Sequence, residues 1–178
     1  MSDAPLRRSP HDVSPDRVAR FAQLDAVIEQ LVCVFSALPC PDQAVDDRWT
    51  ARDVIGHLAF WHESFARNVD DLANGRVPTP LRGRVQDLND QGVAEMRALP
   101  VEEVVRRLLA AQATIRAGIA APCLGLIPYR IGSRPYTPDE HLDLVRDHVV
   151  THLRRLDPPR QRESRPRSRG RPPPDGAR

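Results

Sequence analysis

The residues of this 178-residue chain that are best suited to chemistry are its six histidines. His148 and His152 are four positions apart, so on a helix they project from one face about one turn apart. This spacing lets two imidazoles bind the same metal ion. His57 lies in a distant segment, on an apolar stripe that also contains Leu58 and Trp61.

Three convergent histidines would form a metal site of the catalytic type, because three nitrogen ligands leave positions open for water or substrate. A His-x-x-x-His pair alone is weak evidence, since many helices carry one by chance. The third histidine strengthens the case, because burying three imidazoles without partners is costly and a metal ion supplies the partner. The sequence therefore predicts a metal site at His57, His148 and His152. His62, turned about 140° from His57 on a helix, is expected at an interface or in solvent.

Four helical stretches are predicted to position these residues. The second begins at Thr50, where Asp53 completes an acidic variant of the capping box. The fourth begins at Thr137-Pro138-Asp139-Glu140, the strongest cap in the chain. The third contains a break at Pro100, before which residues 85–99 form a short helix. The predicted bounds of the four stretches are 14–38, 50–74, 85–121 and 137–156.

The helical periodicity predicts an all-α protein, an up-down four-helix bundle, because no stretch alternates with a period of two for long enough to form a strand. The chain length suits one domain, which we place at residues 14–156. Residues 1–13, which include His11, are expected to be a disordered lead. Residues 157–178 contain seven arginines and three acidic residues, a balance of +4, and are expected to be a disordered Arg/Pro-rich tail.

Composition excludes several classes of protein. No apolar run reaches the roughly 20 residues of a membrane span, and no signal peptide is visible. Three cysteines without a Cys-x-x-Cys motif predict reduced thiols in the cytoplasm, either buried or incidental. All 26 basic residues are arginine, so a Schiff-base or phosphate-binding lysine is excluded. Nucleic-acid binding is expected to be no more than weak contact by the tail.

Two segments resemble the DinB-like superfamily. They are WTARDVIGHLAFWHESF, from Trp49 to Phe65, and YTPDEHLDLVRDHVVTHLRRL, from Tyr136 to Leu156. This superfamily includes YfiT-like metal-dependent hydrolases, bacillithiol and mycothiol transferases, and mycothiol-dependent maleylpyruvate isomerases. The shared features are the start of the second helix and the His-x-x-x-His near the end of the structured part. The resemblance covers residues 14–156.

The resemblance implies a four-helix bundle, often dimeric, whose metal triad falls on His57, His148 and His152. The implied metal is nickel or zinc. It would activate a low-molecular-weight thiol of the mycothiol type, or water, for transfer to or hydrolysis of a small molecule. A homodimer is the implied protein partner. A metal-free alternative is a small-molecule-binding or protective protein, because the ClbS/DfsB-like subgroup has a similar second helix and a similar His-x-x-x-His.

Four further residues are candidates for contacting a substrate. Trp61 lies one turn after His57 and would form the pocket wall or belong to the core. His141 lies two turns before His148 and would line the pocket mouth or cover exposed helix surface. Arg130 and Tyr136 belong to the loop before the fourth helix, where an arginine could bind a carboxylate through two hydrogen bonds or simply be solvated.

Overall fold

The computed structural model describes residues 15–122 and 124–157, and this part of the chain contains five α-helices and no strand. The prediction of an all-α bundle is confirmed. His11, Cys123, the lead and all of the tail except Asp157 lie outside the described residues. The helices are α1 (Pro15–Ser36), α2 (Ala51–Ala73), α3 (Val85–Arg97), α4 (Val101–Gly118) and α5 (Pro138–Leu156).

Both predicted capping boxes begin a helix that carries histidines of the candidate site. Thr50 caps α2 by accepting a hydrogen bond from the Asp53 backbone, and the Asp53 carboxylate accepts one from Thr50 N at 2.9 Å. Thr137 and Glu140 repeat this arrangement at α5. Each box satisfies backbone donors that a helix start otherwise leaves unpaired. The third predicted stretch becomes two helices, α3 and α4, which are separated at Pro100.

Helix α2 lies at the centre of the bundle. It packs against α4 and α3 and also contacts α5, while α1 packs mainly against α5. Most of α2 from Ala51 to Val69 is therefore buried on every side, as is expected of a core helix. No helix in the described parts of the chain is long and apolar enough to cross a membrane.

Two glycines allow α3 to approach α2 closely. A Cβ atom at Gly92 would lie 2.5 Å from Cγ of Phe60, and one at Gly56 would lie 2.8 Å from Cβ of Met96. Both distances are too short for packed carbon atoms. A bidentate ion pair from Arg97 to the buried Asp53, at 2.6 and 2.7 Å, holds the end of α3 against the start of α2.

Replacement of Gly92 by alanine is expected to destabilise the protein by about 1–2 kcal/mol. At so short a distance the new methyl group should cost about 2–3 kcal/mol through overpacking of the α2–α3 contact, and the higher helix propensity of alanine offsets roughly 1 kcal/mol of that cost. Urea unfolding of the variant and the wild type measures the difference. Gly125→Ala is the control, since no heavy atom lies within 4 Å of its added Cβ. Equal stability of the two variants would contradict the close α2–α3 packing.

Candidate metal centre

The bundle brings His57 of α2 together with His148 and His152 of α5. Nε2 of His148 lies 2.9 Å from Nε2 of His57 and 3.1 Å from Nε2 of His152. Within residues 15–122 and 124–157, these three residues form the one group of at least three metal-ligating side chains whose ligand atoms lie within 4.8 Å of one another. The three histidines that the sequence predicted to share a metal ion therefore lie close together.

The donor set fits a divalent transition metal. A neutral imidazole nitrogen carries either one proton or one lone pair, so Nε2 of His148 cannot make two good hydrogen bonds to its two neighbours. A cation accepts lone pairs from all three rings. Metal–nitrogen bonds of about 2.0–2.1 Å in a tetrahedral site place the nitrogens about 3.3 Å apart, a few tenths of an ångström beyond the observed separations.

Burial keeps the three imidazoles neutral. It lowers the pKa of His57 to about 2 and the pKa of His152 to about 3, and repulsion from neighbouring rings and Arg155 adds to both shifts. The pKa of His148 is lowered for the same reason, burial first and Arg155 second. Neutral imidazole is the form that binds metals, so all three rings are ready to act as ligands at neutral pH.

Trp49 is a site residue that was not predicted from the sequence. Its ring centroid lies 4.7 Å from that of His57, and it stacks on His152 at 5.6 Å with an interplanar angle of 19°. Nδ1 of both histidines is buried without a hydrogen-bond partner in the described part of the chain. Ring packing by Trp49 thus takes the orienting role that a hydrogen bond often plays around metal ligands. The available signal was its place directly before the Thr50 cap, at the start of the resembling motif.

Replacement of Trp49 by leucine is expected to weaken zinc binding about 10–100-fold, the usual cost of losing a group that orients metal ligands. Competition with a chromophoric chelator measures the affinity. Trp61→Phe serves as the matched control, because no ring contact joins Trp61 to any member of the triad among the described residues. Equal affinities for Trp49→Leu and wild type would show that the indole does not position the ligands.

The triad lies in the wall of a cavity of about 540 Å³. Trp61 and Tyr129 stack at 4.9 Å with an interplanar angle of 11° and form an aromatic wall beside the histidines. Nε1 of Trp61 donates a hydrogen bond to Oδ1 of Asn89 at 2.8 Å, so α3 fixes the indole. The other lining residues are mostly polar or charged: Asp46, Asp47, Arg48, Trp49, Val85, Gln86, Asn89 and Arg155.

Of the four residues predicted to contact a substrate, only Trp61 lines this cavity. His141 is buried elsewhere, where its ring stacks on Phe65 at 4.1 Å. Tyr136 packs beneath the guanidinium of Arg134. Arg130 also lies outside the lining. The substrate roles of these three residues stay predictions, and Tyr129 is the loop residue that faces the cavity.

His62 is not at an interface or in solvent, and that expectation was wrong. It is 2% exposed, and its Nε2 lies 2.7 Å from Oε1 of Gln112 on α4. Nε2 of Gln112 donates to Oδ1 of Asp25, so its carbonyl oxygen must accept from His62. Burial lowers the pKa of His62 to about 4, although the hydrogen bond that His62 donates to Gln112 opposes this shift. His62 is therefore a neutral core residue.

The chain is similar to known proteins in sequence and in fold. Residues 37–122 match the family model described as the mycothiol maleylpyruvate isomerase N-terminal domain. The DinB-like resemblance is confirmed. The matched segment contains Trp49 and His57 and ends before α5.

Two solved structures have a similar fold. One is the mycothiol-dependent maleylpyruvate isomerase, with 12% identity and a TM-score of 0.63; the other is a histidine-to-alanine mutant of that enzyme, with 11% identity and a TM-score of 0.63. Each alignment covers 79% of this chain and 60% of the solved chain, so this chain spans less than two thirds of the length of those proteins. No curated protein sequence matches it.

Proposed function

We propose that this chain is a divalent-metal-dependent enzyme that activates a low-molecular-weight thiol of the mycothiol type for reaction with a small electrophile. One observation carries the proposal: three imidazole Nε2 atoms converge in the wall of a cavity of about 540 Å³. Cavities of roughly 300–1,000 Å³ suit small molecules. We also propose that the triad His57, His148 and His152 holds zinc or nickel.

A zinc or nickel ion held by three imidazoles would leave at least one position open and lower the pKa of a thiol or water there. The chain adds no negative ligand, because all three rings are neutral. Around the triad, Arg155 lies 3.6 Å from Asp46 and Arg48 lies 3.2 Å from Asp90. The opposite charges within each ion pair largely cancel. The charge of the metal would therefore dominate the site and favour an anionic sulfur.

The aromatic residues and the arginines of the cavity lining would bind different parts of a substrate. Trp61 and Tyr129 offer a flat apolar surface on which a planar conjugated substrate can lie. Arg48 and Arg155 are exposed lining residues that can bind a carboxylate through two hydrogen bonds. Trp61 is thereby proposed as a substrate contact, supported by its position in the wall.

The chemistry of thiol addition balances without a further reactant. In addition to a double bond, the S–H bond is lost, a C–S bond forms at the electrophilic carbon, and the proton ends on the adjacent carbon or oxygen. With a haloalkane, the C–S bond replaces the carbon–halogen bond, halide leaves and the thiol proton goes to solvent. In an isomerisation, rotation about the new single bond is followed by loss of the same C–S bond, which returns the thiol. Neither route needs an oxidant or a reductant.

The comparisons favour a thiol over water as the activated group. The two solved structures with this fold carry the name of a mycothiol-dependent isomerase. Metal-assisted hydrolysis would use the same triad, and a metal-free binding or protective protein would use the same cavity. A homodimer and a cytoplasmic location stay predictions.

The test is a reaction of the full chain with mycothiol and two electrophiles, maleylpyruvate and a fluorogenic haloalkane, followed by absorbance and mass spectrometry. We expect a rate that needs both thiol and metal and that falls at least 100-fold after chelation or in His148→Ala. Turnover without thiol would indicate water activation instead. Rates that are the same with and without metal would overturn the proposal and favour the metal-free protein.

A further inference from the structure

A second, smaller cavity of about 20 Å³ lies behind the wall of the metal pocket. We call it the inner cavity. Trp61, Tyr129 and His148 contribute to the lining of both cavities. The remainder of the inner cavity is lined by apolar residues and by a few buried polar ones, among them Ser64, Asn68 and His141.

Three polar atoms in this lining are buried and lack a hydrogen-bond partner within the described residues. They are Oγ of Ser64, Oδ1 of Asn68 and Nδ1 of His141. The three residues are only 2%, 1% and 2% exposed. A buried polar atom that stays unpaired costs stability, and three such atoms in one small cavity point to a shared partner.

We propose that the inner cavity is a hydration site that holds one water molecule between Ser64, Asn68 and His141. A cavity needs room for one water-sized sphere, about 10–15 Å³, to hold a water, and a buried water typically makes about three hydrogen bonds. The inner cavity is large enough for one water, and its lining offers three unpartnered polar atoms. A larger ligand does not fit its volume.

The donor and acceptor pattern suits water. Nδ2 of Asn68 donates to the carbonyl of Pro128 at 3.0 Å, which fixes the amide and leaves Oδ1 as an acceptor. Ser64 can donate or accept, and Nδ1 of His141 does either according to its tautomer. Because water has two donors and two acceptors, one molecule can satisfy all three atoms.

The position of the site gives it a structural consequence. Ser64 and Asn68 are four residues apart on α2, so they share a face, while His141 faces them from α5 with its ring stacked on Phe65. The water would join α2 to α5, and these two helices supply the three histidines of the metal centre. It would thus help to hold the two halves of that centre in register.

A crystal structure of the full chain as purified tests the proposal most directly. We expect a density peak within about 3.2 Å of at least two of the three polar atoms. Water-oxygen magnetic relaxation dispersion counts long-lived internal waters in solution, and Ser64→Val should lower that count by one. Ser36→Val, at an exposed position near the end of α1, should leave it unchanged.

The melting temperature of Ser64→Ala gives an independent result if the valine variant fails to fold. Loss of one partner of a bound water should lower it by about 2–4 °C, whereas removal of an unpaired hydroxyl would leave it equal or raise it. Direct hydrogen bonds among the three side chains, with no density between them, would overturn the proposal. So would an Ser64→Ala protein at least as stable as the wild type.

Discussion

Replacement of His148 by alanine is expected to weaken zinc binding about 100–1,000-fold. His148 is the central member of the triad, with Nε2 2.9 Å from that of His57 and 3.1 Å from that of His152. Four-ligand structural zinc sites are worth about 10–16 kcal/mol, which is roughly 2.5–4 kcal/mol for each ligand. A loss of that size corresponds to two to three powers of ten in affinity.

Titration of the chelated protein with zinc, against a competing chromophore, measures this change. The matched control is Thr151→Ala. Thr151 is exposed on the same turn of α5, and its hydroxyl donates a hydrogen bond to the backbone carbonyl of Asp147. The control should bind zinc as tightly as the wild type. Similar affinities for His148→Ala and the wild type would show that the histidine cluster is not the binding site.

The metal-free protein is expected to lose stability steeply in mild acid, because its core contains neutral histidines. Burial is the main reason that the pKa of His62 and the pKa of His141 are each lowered to about 4. The ordinary value for an unfolded chain is about 6.5. Each shift corresponds to about 3 kcal/mol, since one pKa unit is worth about 1.4 kcal/mol.

The direction of the effect follows from proton binding. Between about pH 6.5 and pH 4, the unfolded chain binds protons at these histidines and the folded chain does not. The contribution of both residues is therefore complete above pH 6.5 and is lost as the pH falls to 4. Together they should lower the free energy of unfolding by about 3–6 kcal/mol.

Urea unfolding with a chelator present, at pH 7 and pH 4.5, measures this loss. A double variant, His62→Gln with His141→Phe, should show a flatter dependence on pH by that amount. Glutamine keeps a partner for Gln112, and phenylalanine keeps the stack on Phe65. An equally steep dependence in the double variant would assign the acid sensitivity to other groups.

The sequence was informative where a local pattern determines the structure. Both capping boxes depend only on residues three positions apart, and both begin helices where expected. His148 and His152 lie on one face because helix geometry alone requires it. The meeting with His57 needed a further premise, namely that α2 and α5 pack together, and the expectation that the inward faces of bundled helices meet supplied that premise.

The positions of His62, Trp49 and Tyr129 depend on how the helices and loops pack together, and no local sequence pattern predicts them. His62 was expected outside because it points away from His57, but α2 is surrounded by other helices, so both of its faces are buried. Trp49 precedes α2 and turns onto the histidines only in the folded chain. In the loop before α5, Tyr129 rather than Arg130 or Tyr136 lines the pocket. The conformation of the loop determines this orientation, and the sequence pattern does not predict it.

The metal content of the full chain, purified without a metal-binding tag, tests the central claim most directly. Elemental analysis before and after incubation with zinc or nickel, followed by removal of free metal, measures it. A three-histidine centre predicts about one zinc or nickel ion per chain, with the ion lost in His148→Ala. A wild-type protein that binds neither metal after incubation would contradict the metal centre and the enzyme proposed on it.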